Sequence, residues 1–298
     1  MSPRSAQQTG KGIRLGRISS GLVEREPGYW VSHRRASINY PREGNELCAR
    51  LESSSFWFRH RNRCILTAVR QLPPRGTIYD VGGGNGHVAL ALESAGVSTV
   101  LIEPGPGAET ARSRGLSKVA RSTLEDAAFH RGTLDAVGLF DVLEHVEDDH
   151  GMLRTLHGLL VPEGRLYLTV PAYRLLWSAE DDFAQHVRRY RLNELRTKLL
   201  ESGFTVLRAT YFFALLPLPI LLFRTIPSRL GLRQGVSSGK LIAREHGSSN
   251  PWTGRMAAAL LRLEDQWLAG GHDLPFGASC LVIAQRVCHL ESAAPRDP

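Results

Sequence analysis

Residues 78 to 92 read IYDVGGGNGHVALAL: a short apolar run, four glycines within five residues, and then a helix-like pattern with no gap between. A strand that turns directly into a helix commits the chain to a βα unit, and such units build parallel sheets with crossover helices. The glycines also let a ligand approach bare backbone, where amide N–H groups and a helix N-terminus favour anionic groups.

The rest of the chain repeats the alternation. STVLIE reads as a second strand, AVGLFD (Ala136 to Asp141) as a later one, and RLYLTV (Arg165 to Val170) follows the helix HGMLRTLHGLL and a turn at PEG. LNELRTKLLESG reads as a helix with Asn193 as N-cap and Gly203 just past its end. FTVLRAT and ASCLVIAQRV (Ala278 to Val287) read as the last two strands, separated by nearly seventy residues.

The glycine spacing discriminates between cofactors. A dinucleotide fingerprint G-x-G-x-x-G starting at Gly82 and Gly84 needs glycine at position 87, where His87 stands. The chain has instead D-x-G-x-G-x-G, from Asp80 through Gly82, Gly84 and Gly86, with Glu103 ending the second strand nineteen positions after Gly84. This resembles motif I and the acidic loop of class I S-adenosylmethionine-dependent methyltransferases. STLEDAAF, LFDVLEHVED, LLVPEGRLYLTVP and RYRLNELRTKLLESGF resemble later segments of that family, so the likeness covers about residues 45 to 211 and resumes at the last strand.

The resemblance implies a Rossmann-like, doubly wound, seven-stranded, mostly parallel sheet with the last strand antiparallel, plus a helical insertion. It implies S-adenosylmethionine as cofactor. Glu103 would receive both ribose hydroxyls, as a carboxylate accepting two hydrogen bonds can. Thr123 and Leu124 would meet the adenine, with Thr123 where the family usually has Asp, so that recognition could shift to Glu125. Backbone around Phe140 would line the methionine end. SSSFWFRHRNRCILTAV (Ser53 to Val69) resembles the family's N-terminal helix, in which Phe56, Trp57, Arg61 and Asn62 face the cleft and Arg61 can pair with the cofactor carboxylate.

A methyl sulfonium carries its own leaving group, so the protein needs only to align an acceptor and, where required, take its proton. That base belongs at the carboxyl ends of the strands. DVLEHVEDDH offers Glu144, His145 and His150; PAYRLLWSAEDDFAQHVRRY offers Trp177, Asp181, Asp182, His186 and Tyr190. Histidine titrates near neutrality, and His186 is the first candidate, His145 the second. Local networks or helix caps would explain either histidine equally well. The acidic EDDH is read as a surface helix start, and no metal is predicted.

YFFALLPLPILLF (Tyr211 to Phe223) is uncharged but too short to span a bilayer, and it holds two prolines. A helix from Asn250 and Pro251 would place Met256, Leu260, Leu263 and Trp267 on one face until Gly270. Together these suggest a cap lined for a small or lipid-like acceptor; flanked by arginines, residues 211–233 could also rest on a membrane. The expected organisation is a flexible basic arm (1–30), a helical segment over the cleft (31–72), the cofactor-binding core (73–210), the insertion (211–277), and a last strand with its tail (278–298).

The net charge of +8 is spread along the 298 residues, and no nucleic-acid partner is expected. The four cysteines match neither a redox pair nor a zinc ribbon and read as thiols in a cytoplasmic protein; nothing in the sequence fixes the oligomeric state. The reading is methyl transfer to oxygen or nitrogen of a small hydrophobic molecule. Alternatives are a non-catalytic cofactor-binding scaffold, a nucleic-acid methyltransferase lacking the N/D-P-P-Y stretch, and a nicotinamide oxidoreductase, opposed by His87 and by the lack of a Tyr-x-x-x-Lys pair.

Overall fold

The computed structural model describes residues 15–33, 49, 52, 55–231 and 251–287, without the side chains of 251–258. Residues 1–14 of the arm, Cys48, Cys288, Asn250, the basic stretch 232–250 and the Met256 side chain lie outside them. Cys64 and Cys280 are free and buried.

The strands are β1 (Leu22–Glu26), β2 (Tyr29–Ser32), β3 (Ile78–Val81), β4 (Thr99–Ile102), β5 (Val119–Arg121), β6 (Leu134–Phe140), β7 (Leu160–Pro171), β8 (Phe204–Phe212) and β9 (Ser279–Arg286). The main helices are α1 (Phe56–Gln71), α2 (His87–Ser94), α3 (Gly107–Ser113), α4 (Leu124–Ala127), α5 (Asp149–Leu159), α6 (Ala179–Phe183) and α7 (Leu192–Glu201). In the insertion, α8 (Pro217–Ile220) and α9 (Ile226–Arg229) flank a π turn at Leu221–Thr225, and α10 is Pro251–Ala269. The sheet order is β1-β2-β5-β4-β3-β6-β7-β9-β8. β9 runs antiparallel to both β7 and β8, while β2, β5, β4, β3, β6 and β7 are mutually parallel. The strand order reverses between β3 and β6, so the ligand crevice of such a sheet lies at their carboxyl ends.

The seven expected strands are all present, and β1 and β2 make nine. They correct the reading of residues 15–30 as arm. Pro27 and Gly28 turn the hairpin, Gly28 with φ 77°, and Trp30 (3% exposed), Leu22 and Leu15 bury in the main core. Parallel pairing of Tyr29 with Val119 then extends the sheet. Residues 15–30 hold two arginines and two glutamates, so the basic character of the first fourteen residues does not extend through them.

Local rules account for the elements that shape the crevice. The Ser55 hydroxyl caps α1 by accepting from the Trp57 N–H at 3.2 Å. Gly86 precedes α2 with φ 73°, and a Cβ there would lie 2.6 Å from that of Ala111, so a larger residue would push α2 and α3 apart. PEG is not a separate turn: Glu163, with φ 60°, sits in a bulge within β7. Asn193 lies inside α7, whose cap position is Arg191.

The insertion departs most from expectation. Tyr211 and Phe212 still belong to β8, so the insertion begins at Phe213. On α10 the apolar face expected to line a cap is exposed, with Leu260, Leu263 and Trp267 at 42%, 61% and 52%. The buried stripe is Leu261, Glu264 and Leu268. This buried stripe is the less apolar of the two, and its Glu264 is met by polar contacts with α1. His60, fully buried, bonds Glu264 at 2.8 Å and Asp265 at 3.0 Å through its two ring nitrogens, while Gln71 donates to the Leu268 carbonyl. Glu264 also accepts the backbone N–H groups of Phe213 and Ala214.

The choice of face is testable by chemical denaturation. Leu261→Ala should cost about 2–5 kcal/mol through the cavity it leaves. Leu263→Ala should stay within about 0.5 kcal/mol. Equal losses would return the packing face to the Leu263 side.

Candidate active site

Three motif glycines turn the chain at the end of β3 with positive φ: Gly82 at 70°, Gly84 at 55° and Gly86 at 73°. A Cβ on Gly82 would press on Val142, and one on Gly83 would strike Asp80. Asn85, in the same turn, is tied down from outside: Arg114 donates to its carbonyl and pairs with Glu52, to which the Asn85 amide also donates. Glu103 lies beside this loop, with Oε2 accepting from the Gly84 N–H at 2.9 Å and Oε1 from the Gly105 N–H at 2.6 Å. The loop therefore presents a carboxylate rather than a vacant ring of N–H donors. Burial raises the Glu103 pKa, and the two amides oppose that shift.

Beneath the loop, Asp80 is fully buried, and the Ala89 backbone N–H of α2 faces its carboxylate. Burial pushes its pKa up to about 7, Arg61 works against the shift, and Glu103 adds to it. Arg61 comes from α1 and closes the crevice from above. Its Nη1 meets Asp141 Oδ2 at 2.5 Å, and the guanidinium lies 5.0 Å from the Trp57 ring and 5.3 Å from the Phe58 ring. Asp141, just past β6 with φ 56°, also accepts from the Thr169 hydroxyl at 3.0 Å. Asn62 donates to the His87 carbonyl, which fixes α1 against the start of α2.

The two histidines proposed from sequence come together. The rings of His145 and His186 stand 4.8 Å apart, edge to face, and one donor atom from each lies within 4.8 Å of a Glu144 carboxylate oxygen. Glu144 is 1% exposed and its Oε2 has no partner. Burial, followed by the charge of Asp141, raises its pKa well above the usual carboxylate range. Burial and then His186 push the His145 pKa down to about 4, so its ring is neutral at neutral pH. His186 Nδ1 bonds Asp181 Oδ1 at 2.8 Å. Arg189 grips the same carboxylate through Nε at 2.7 Å and Nη2 at 2.9 Å. Burial alone would raise the Asp181 pKa, but these two partners hold it down at about 2.

Other candidates fall elsewhere. His150 pairs with Glu201 at 3.7 Å, outside the cluster. Trp177 donates to Asp182, and the Tyr190 hydroxyl donates to Asp149 in the core. Thr123 caps α4 by accepting the Asp126 N–H; Leu124 is buried beside it, while Glu125 is exposed. The Phe140 side chain packs inward near Ile65 and Ala68, leaving its backbone for the crevice. Sequence reasoning missed Asp141 as the partner of Arg61; its signal was an acid ending the fourth strand of the family pattern.

A family model described as a methyltransferase domain matches residues 53–209. The chain belongs to this methyltransferase family. A curated relative from Xanthomonas campestris pv. campestris (strain B100), named ubiquinone biosynthesis O-methyltransferase, is 32% identical over 114 residues, which are 36% of this chain and 48% of that protein. The chain thus spans about half the length of the curated relatives it matches. A chain in the complex of the Haloferax volcanii Trm112 methyltransferase activator with a methyltransferase has a TM-score of 0.53 at 16% identity, covering 83% of this chain and 97% of that one. Haemonchus contortus phosphoethanolamine N-methyltransferase 2, bound to S-adenosylhomocysteine, has a TM-score of 0.51 at 14% identity, covering 82% and 57%. At such identities the structural likeness speaks for the fold.

This methyltransferase is of class I and uses S-adenosylmethionine. The residues present fit that cofactor: a Cβ-free loop allows close approach, Glu103 keeps lone pairs for hydroxyl donors, and the buried Asp80 carboxylate lies beneath. When bound, the cofactor supplies a methyl group on a positively charged sulfur. We assign Asp80, Gly82, Gly84, Gly86, Glu103, Thr123, Leu124, the Phe140 backbone and Arg61 to holding it. Gly84→Val and Glu103→Ala should each weaken S-adenosylmethionine binding by about 100-fold or more in calorimetric titration. Wild-type affinity in both would remove the glycine turn from the cofactor site.

Proposed function

We propose that this methyltransferase transfers the methyl group to an oxygen of a small, hydrophobic or lipid-like acceptor, with Glu144, His145 and His186 receiving the acceptor's polar end. The observation that carries the reading is the convergence of these three groups just beyond β6. Oxygen is favoured over nitrogen because the curated relatives are named for O-methylation in ubiquinone biosynthesis. His186 is the residue best placed to orient the acceptor hydroxyl and take its proton. Asp181 accepts at Nδ1, so the other ring nitrogen carries the lone pair.

An apolar acceptor needs an apolar lining, and the insertion can supply it. Leu216, Ile220 and Leu221 pack beside Phe56 and Trp57 against the core cluster of α1. Arg224 pairs with Glu180, and Arg229 donates to the Leu175 carbonyl, so the helical run is tied to the segment that carries His186. Its outer side leaves Leu218, Phe223 and Leu230 at 63%, 68% and 66% exposure. No helix among the described residues is long and apolar enough to cross a membrane. Peripheral contact through this face would bring a lipid-like acceptor within reach.

Two measurements test the reading. His186→Ala should keep cofactor affinity and lose about 100-fold or more in turnover of a hydroxylated aromatic acceptor with an apolar tail; undiminished turnover would remove His186 from the acceptor site. Anionic vesicles should sediment the wild type, and Phe223→Asp should weaken that association without changing cofactor affinity. Sedimentation unchanged by the substitution would count against the membrane-facing role.

A further inference from the structure

The Glu144, His145 and His186 cluster has a property that acceptor binding alone does not require: it is built like a ligand set. We infer that these three side chains hold a divalent first-row transition cation, and that the acceptor's oxygen completes the cation's coordination. The inference rests on the acceptor reading of this cluster and deepens it.

Three observations carry it. The donor atoms, one from each residue, all lie within 4.8 Å of one another. A cation held about 2.1 Å from each donor in tetrahedral geometry needs donors about 3.4 Å apart, so a pair at the 4.8 Å limit has to close by about 1.4 Å. Next, Glu144 is 1% exposed, and its Oε2 has no hydrogen-bond partner in a place where such an atom is costly. Finally, both histidines are oriented from behind. Asp181, itself clamped by Arg189, fixes His186 through Nδ1, and the Gln185 carbonyl bonds His145. An outer carboxylate or carbonyl on each imidazole is how proteins set the tautomer of a metal-binding histidine.

The donor set also selects the ion. Two imidazoles and one carboxylate suit zinc, cobalt, manganese or iron, whereas magnesium and calcium prefer all-oxygen shells. Three protein ligands leave a position open, which is the arrangement of catalytic rather than structural sites. An acceptor hydroxyl entering that position gives up its proton to water, His186 then serving as ligand and not as base. The oxygen's electron pair attacks the methyl carbon as the carbon–sulfur bond breaks, its pair staying on sulfur, and S-adenosylhomocysteine leaves.

A second grouping in the protein shows what a closed cluster looks like. His60, Cys64 and Glu264 are equally near one another, but both His60 ring nitrogens bond carboxylates and Glu264 accepts two backbone amides. Nothing in that grouping is left to take an ion. The sequence expectation of no metal was drawn from the acidic EDDH stretch, whose His150 lies outside the proposed set.

The test is titration of the tag-free, chelator-treated full chain with Co²⁺ and Zn²⁺, without cofactor or acceptor, followed by calorimetry and by the visible bands of cobalt. The wild type should bind one ion per chain, and Glu144→Gln and His186→Gln should lose it while keeping S-adenosylmethionine affinity. Should either variant fail to fold, Asp181→Asn should weaken the ion by about 10–100-fold through His186. Failure of the wild type to bind either ion below about 1 mM, or binding unchanged in all variants, overturns the inference. It would leave the acceptor reading standing, because that depends on turnover by His186→Ala.

Discussion

The ion pair between Arg61 and Asp141 organises the crevice. One partner comes from α1 and the other from the end of β6, so the pair pins the covering helix across the place where the strand order reverses. Both groups are largely shielded from water, with side chains 10% and 18% exposed. Shielded pairs of this kind contribute little net stability, but removing one partner leaves an uncompensated charge. The positions of Trp57, Phe58 and Asn62 follow from it, since they share the helix that Arg61 anchors.

The same helix reaches the insertion through its other face. His60 is buried against Glu264 and Asp265 of α10; burial alone would lower its pKa, but hydrogen bonds led by Asp265 raise it to about 11. A pKa raised on folding stabilises the protein fully below the imidazole's ordinary value near 6.5, and the contribution fades as pH climbs toward 11. Glu264 in turn accepts the amides of Phe213 and Ala214, where the chain leaves β8, and Phe213 stacks on Trp57 with ring centroids 5.5 Å apart. The helix over the crevice and the insertion are therefore one packed unit. A change in either is felt by the other through α1.

Much of this was legible from sequence because it follows from local rules. The strand, glycine turn and helix at 78–92 are set by residues adjacent in the chain, as are Glu103 at the end of β4 and the run of βα units. Less legible were features decided by distant partners. The hairpin of β1 and β2 needs the edge of β5, which basic residues near the N-terminus do not reveal. The buried face of α10 carries Glu264 between two leucines, and its partner His60 lies about two hundred residues earlier. His145 and His186 were each readable as candidates, but their meeting with the unpartnered oxygen of Glu144 depends on how the segment after β7 folds back.

Charge explains why one crevice suits both a sulfonium cofactor and a cation. Asp80, Glu103 and Glu144 are all at or below 7% exposure, and Asp141 lies beside them with Arg61 as its ion-pair partner. Arg189 and Arg114, also nearby, are committed to Asp181 and Glu52. The acids thus outnumber the bases where water is scarce, and burial has raised the pKa values of Asp80, Glu103 and Glu144. A positive ligand offsets that cost, because it favours the charged form of each buried carboxyl. The glycine turn fits this scheme only because Glu103 takes its Gly84 N–H. With that donor spent on an acid, the loop presents negative charge, and a fold often used to cradle phosphates becomes one that prefers cations.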